Sequence, residues 1–212
     1  MKSTWKSDEG ILLYETDGKS GSRKIDIFTP NNGRKIFYVP KNIINKNGPG
    51  GLLPFSYIRF SYTENDEQSL VNQYESQKIF HIMNLSYEDL NAWYYFIEVV
   101  QTFYPLNAVD QNAFRILLQV LVKGKNKNNR VVVLIAIFQL LQESGFFSQD
   151  INNIPLSDEG IHLLNACLSY DWQEDFPVSI KKETCKEIIS FMERWILTEC
   201  DVTLKMSGLL VI

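Results

Sequence analysis

Three times between Arg23 and Tyr62 the side chains alternate with a period of two, a spacing that fits an extended strand with one face buried. In Arg23 to Thr29, Ile25 and Ile27 point one way while Lys24, Asp26 and Phe28 point the other. In Arg34 to Val39, Ile36 and Tyr38 oppose Lys35 and Phe37. In Phe55 to Thr63, Ser56, Ile58, Phe60 and Tyr62 oppose Phe55, Tyr57, Arg59 and Ser61. Each strand is expected to carry a mostly apolar face and a second face that mixes basic and aromatic groups.

The punctuation between these strands supports a small antiparallel sheet. Thr29-Pro30-Asn31-Asn32-Gly33 is hairpin chemistry, since proline presets a turn dihedral and Asn-Gly tolerates positive φ. Asn45 to Pro54, with Gly48, Pro49, Gly50 and Gly51, is expected to be a long irregular loop. Gly10 to Glu15 reads as a first strand and Ser69 to Ser76 as a fifth. Five short strands with a long loop between the third and fourth predict a small barrel, with the five-stranded OB fold ahead of other small barrels or an open sheet.

Near Leu85 the period changes. Leu90, Trp93, Ile97, Val100 and Tyr104 recur at helical spacing behind a Ser86/Asp89 cap and before Pro105. Phe114 to Val122 gives a second helix ending at Gly124, and Val131 to Glu143 a buried third with Gly145 just past its end. Ser157 caps a short helix, and Cys185, Ile188, Ile189, Met192, Trp195 and Ile196 define a long one from about Ile180. The fold class is therefore expected to be α+β: an OB-fold β-barrel over residues 1–83, then a helical bundle domain over residues 84–212.

Charge divides the same way. The net charge of the chain is −4, yet residues 1–83 hold 11 basic and 9 acidic groups against 10 and 16 in the remainder. Lys19 to Tyr62 alone carries Lys19, Arg23, Lys24, Arg34, Lys35, Lys41, Lys46 and Arg59 against the single acid Asp26. A positive half suggests an anionic partner and a negative half a different one.

Several chemistries lack support in the sequence. The two histidines, His81 and His162, stand in no catalytic motif, and Cys167, Cys185 and Cys200 are too dispersed for a zinc cluster or a disulfide framework. No nucleotide-binding glycine motif occurs. No enzyme activity, metal or cofactor is expected. Without an export signal or a bilayer-length apolar run, a soluble cytoplasmic protein with no membrane partner is expected.

A basic and aromatic sheet face is what single-stranded nucleic acid requires, with cations following the phosphates and rings stacking on bases. Phe37, Tyr57 and Phe28 are the candidate rings, and Lys24, Arg34, Lys35 and Arg59 the cations beside them. The same aromatics would equally serve a core, with the charges merely solvating the outside.

The order of motifs resembles the RecO family of bacterial recombinational repair proteins. The resemblance runs through Gly10-Ile-Leu-Leu-Tyr-Glu, Ile25-Asp-Ile-Phe-Thr-Pro-Asn-Asn-Gly33, Val39-Pro-Lys41 and Gly51-Leu-Leu-Pro-Phe55. It continues through Leu85-Ser-Tyr-Glu-Asp-Leu-Asn-Ala-Trp, Leu134 to Gly145 and Leu204-Lys-Met-Ser-Gly. It implies an OB fold, a helical C-terminal domain and no turnover. It also implies binding to single- and double-stranded DNA, annealing of complementary strands, contact with the C-terminal tail of single-stranded-DNA-binding protein (SSB), and action with RecR to load RecA.

On this resemblance Lys41 takes a DNA-contact role and Lys46 lies near a second basic position. The family's basic loop is depleted here, since Asn42-Ile43-Ile44-Asn45 follows Lys41, and the zinc cysteines of many members are missing. An acidic tail with an apolar end needs cations beside apolar walls, which Lys123, Lys125, Lys127 and Arg130 next to Val131 to Phe138 would supply. A solvated interhelical loop is the plainer reading of those four. Two alternatives stand beside DNA mediation: a protein-interaction scaffold with weak DNA contact, and an RNA-binding OB module.

Overall fold

The structure, a computed structural model, describes residues 5–47, 51–64, 68–124, 127–146, 154–173, 176–178, 180–208 and 210. Strands β1 (Lys6–Asp17), β2 (Arg23–Thr29), β3 (Gly33–Val39), β4 (Ser56–Glu64) and β5 (Ser69–Lys78) close a barrel in the order β1-β2-β3-β5-β4. Every pairing is antiparallel except β3 with β5, which run parallel and meet at Tyr38 and Leu70. This is an OB-like arrangement. Leu12, Ile25, Ile27, Phe37, Ile58 and Phe60 are among the side chains that fill it.

Two sequence expectations change here. Where the irregular loop Asn45 to Pro54 was expected, its first residues belong to a helix, α1 (Lys41–Asn47), whose Ile43 and Ile44 pack against the barrel core; residues 48–50 of that loop lie outside the described residues. The apolar pair that makes this stretch poor in charge thus serves packing. Strand β3 also faces the other way. Phe37 and Val39 point into the barrel, paired across β2 with Ile25 and Arg23, while Tyr38 and Ile36 lie on the outer face beside Lys24 and Asp26. Lys35, opposite Ile27, shares the inner-facing register despite its charge.

By its contacts the chain divides into two compact units: Met1–Asn84 with Tyr104–Leu121, and Leu85–Phe103 with Val122–Ile212. The first break falls after Asn84, and residues 104–121 return to the barrel unit. That segment covers the turn end of the outer face of the β2–β3 hairpin and leaves Lys24, at the far end, exposed. Phe28 meets Tyr104 edge-on at 5.6 Å and Phe114 at 6.5 Å. Arg34 pairs with Asp26 at 3.2 Å and donates to the Tyr104 carbonyl at 2.9 Å, while the Arg34 carbonyl accepts from the Asn107 N–H at 2.7 Å. Helix α3 (Gln111–Lys123) follows, with Asp110 accepting from the Ala113 N–H at 2.8 Å as its cap.

The second unit contains α2 (Tyr87–Phe103), α4 (Asn129–Glu143), α5 (Asp158–Ser169) and α6 (Lys182–Cys200). Ser86 and Ser157 cap α2 and α5 as the sequence indicates, accepting from Asp89 and Gly160 N–H groups at 3.1 Å. Helix α4 is buried continuously from Val132 to Leu141. Its one buried polar side chain, Gln139, donates to the Cys167 and Tyr170 carbonyls and accepts from the Trp172 indole at 2.9 Å, so all its groups are satisfied. The Glu98 carboxylate accepts from the Lys205 and Met206 N–H groups at 2.6 and 2.8 Å and ties the C-terminal segment to α2. Among the described residues no helix is long and apolar enough to cross a membrane.

Gly33 opens β3 at φ 65°, and a Cβ there would lie 2.0 Å from the Ala108 carbonyl oxygen. Left-handed backbone and close approach both demand glycine. Gly33→Ala is expected to cost about 3 kcal/mol or more in chemical denaturation, far beyond an ordinary surface change.

Candidate nucleic-acid interface

The nine barrel residues that sequence reasoning assigned to nucleic acid separate into three groups. Phe37 is 0% exposed, its ring edge-on to Phe60 at 4.7 Å and Tyr62 at 5.1 Å, so it offers no face to a base. Phe28 is likewise buried, beneath Tyr104 and Phe114. Arg34, with its side chain 13% exposed, is occupied by Asp26 and the Tyr104 carbonyl. Lys35 is 16% exposed, ion-paired to Glu64, with its ammonium 5.6 Å from the Tyr62 ring centre. In the structure these four are buried or paired within the barrel and offer little surface to a ligand.

Tyr57 and Arg59 lie on the outer face of β4, but their surroundings are acidic. Arg59 is opposite Glu9 on β1 and Glu75 on β5, and it pairs with Glu9 at 3.1 Å. Its guanidinium sits 5.9 Å from the Tyr57 ring centre. Burial and then the hydrogen bond to Glu9 push the Tyr57 hydroxyl up to about 12. One guanidinium between two carboxylates is a poor path for phosphate.

Lys24, Lys41 and Lys46 remain exposed. Lys24 lies across from Tyr38 on β3 and Thr16 on β1, on the outer face. Beside it opens a cleft of about 700 Å³ lined by Lys19, Ser22, Lys24, Tyr38, Gln68 and Leu70, with Asp17 at its edge held by Arg23 at 2.5 Å. The β1–β2 turn that forms one wall has Ser20 and Gly21 at φ 56° and 76°, and a Cβ on Gly21 would meet Lys41 Cδ at 3.1 Å. The Lys41 stem therefore lies along the turn that carries Lys19. Among the described residues none forms an ion pair with Lys19, Lys24 or Lys41. The β2–β3 face together with the β1–β2 and β4–β5 loops is where OB folds hold oligonucleotides, and the cleft draws on all three.

Lys19 and Tyr38 were not on the sequence-derived site. Lys19 was counted only as part of a charge excess, and Tyr38 was assigned to the apolar face. Neither register nor strand facing follows from alternation alone when both faces of a strand carry rings.

In the second unit, Lys123 is exposed at the end of α3, Arg130 pairs with Asp89 at 3.4 Å, and Lys127 sits 5.8 Å from the Tyr170 ring centre. Lys125 lies outside the described residues. Two of the four cations proposed for an acidic tail are thus engaged within their own unit. Burial raises both core thiols, Cys185 to about 11, and leaves them in the neutral form of inert packing groups. His81 is exposed, and among the described residues no three His, Cys, Asp or Glu side chains gather as a metal would need.

Glu64 accepts from Lys35 and Lys6, and these bonds hold its carboxyl down to about 2 from an ordinary 4.5. A depressed folded pKa contributes stability above the unfolded value and loses it as pH falls through the folded one. Unfolding midpoints measured across this range are expected to drop between pH 4.5 and 2 in the wild type. In Glu64→Gln that part of the fall is expected to be absent and the starting stability lower. No protein-family model matches the chain, and no curated protein sequence matches it.

Proposed function

We propose that the barrel binds nucleic acid through the cleft between the β1–β2 turn and the β2–β3 face. On this reading the protein works as a recombination mediator of the RecO type. It would anneal complementary single strands and, with RecR, help RecA onto strands coated by SSB. The observation that carries the reading is that Lys19 and Lys24 line the cleft beside Tyr38 and the Lys41 stem lies along the same turn, three cations that pair with no carboxylate among the described residues, at the ligand-binding edge of an OB-like barrel. The cellular role rests on the resemblance of the ordered motifs to the RecO family, and the binding chemistry rests on the cleft alone.

Annealing asks for a protein that screens two phosphate backbones without gripping either. Three lysines suit that: about three phosphate contacts give a log–log salt slope of about −2 on a single strand. The scaffold reading keeps one specific support, which is the neutralisation of most of the remaining basic residues. Arg23, Arg34, Lys35 and Arg59 all pair with carboxylates of the barrel's own strands.

Fluorescence anisotropy with a labelled oligonucleotide decides between them. Binding with a salt slope near −2, weakened about tenfold or more by Lys24→Glu with Lys41→Glu, is the expected result. Arg59→Glu is expected to leave it within twofold. No binding at low salt, or equal effects from the Arg59 change, would move the function to protein partners. In a strand-annealing assay the same double variant is expected to lose acceleration of complementary strands, with and without SSB present.

A further inference from the structure

We infer that the barrel takes single-stranded nucleic acid in preference to duplex, by holding two unpaired bases on the rings of Tyr14 and Tyr38 with Lys24 at the phosphates between them. The inference rests on the cleft being the nucleic-acid site. Of the four aromatic side chains on β1, β2 and β3, Phe28 and Phe37 are enclosed, and Tyr14 and Tyr38 remain at the surface. Tyr14 is 41% exposed, and Tyr38 lines the cleft.

The pairing register places these two rings. Tyr14 lies opposite Asp26 and Tyr38 opposite Lys24, with β2 running between them. Two strand spacings across and two residues along put their Cα atoms about 12 Å apart. With their backbones that far apart and β2 between them, we assign each ring its own base, stacked at the usual centroid spacing of roughly 4.5–7 Å. Each base must present a free face. In a duplex those faces are stacked on neighbouring pairs, so the platform has nothing to hold.

Electrostatics along that path agrees. Asp26 sits on the same face between the two tyrosines, but it is buried and paired with Arg34 at 3.2 Å, which withdraws its charge from a passing phosphate. Lys24 is exposed in the next row. Three cations alone would leave duplex binding weak and salt-sensitive, and stacking is the contribution a single strand can add. A RecO-like protein is expected to bind both forms, so single-strand selectivity is a property of these particular side chains.

The test is anisotropy on a labelled 15-nucleotide oligo-dT and on a duplex of equal length at one fixed salt, with wild type, Tyr14→Ala, Tyr38→Ala and Tyr38→Phe. Wild type is expected to bind the single strand at least about tenfold tighter. Each alanine change is expected to lose about tenfold on the single strand and nothing on the duplex, with the salt slope unchanged. Tyr38→Phe keeps the ring and is expected to keep binding, which separates stacking from a folding defect. If Lys24→Glu weakens binding while both alanine variants bind both ligands as wild type does, the cleft stands and the two-base inference falls. Equal loss on single strand and duplex also overturns the inference. Failure of wild type to bind either ligand removes the cleft reading and this one with it.

Discussion

The Asp26–Arg34 pair is the contact on which the layout of the first unit turns. It lies on the outer face of a strand pair, where a barrel would ordinarily be solvated, and it is buried because residues 104–121 fold back over it. Arg34 binds that segment from both ends of its residue, through its guanidinium to the Tyr104 carbonyl and through its own carbonyl to Asn107. A buried pair of this kind offsets its desolvation only when the remaining hydrogen-bonding groups are also met. The backbone of the returning segment supplies one of those partners, so the ion pair and the covering segment depend on each other.

Once that face is covered, the surface left for a ligand is small. Of the basic residues concentrated between Lys19 and Tyr62, one set is consumed in holding the barrel together. Lys35 and Lys6 converge on Glu64, Arg23 on Glu15 and Asp17, and Arg59 on Glu9. The other set, Lys19, Lys24 and Lys41, clusters where the β1–β2 turn meets the β2–β3 face. A charge count that looks like a broad anion-binding surface resolves into a narrow one. The acidic β1–β4–β5 face, with Glu9 and Glu75 flanking Arg59, confines a polyanion further to the cleft side of the barrel.

The second unit shows the same economy with polar groups. Gln139 is the one polar side chain buried in α4, and it closes the turn after α5 by bonding two carbonyls and an indole. Glu98 and Glu193 fasten the C-terminal segment, the latter by accepting from Tyr95 and Ser207. Each is a single side chain that satisfies groups far away in sequence.

Local pattern was enough to find the elements. Period-two alternation identified the strands, Thr29 to Gly33 the hairpin, and Ser86 and Ser157 the helix starts, because turns and caps are settled by residues within a few positions of each other. The basic character of Lys24 and Lys41 was legible for the same reason. Which face of β3 is buried was not, since Phe37 and Tyr38 are both aromatic and adjacent, and only closure of the barrel onto β5 decided that Phe37 goes in. The helical state of Lys41–Asn47 depended on a core for Ile43 and Ile44 to cover. Whether a given cation faces a ligand or a carboxylate depended on Glu64 and Glu9, residues tens of positions away that pairing register alone brings near. Composition and spacing determine which groups the chain possesses; long-range pairing determines which of them remain available.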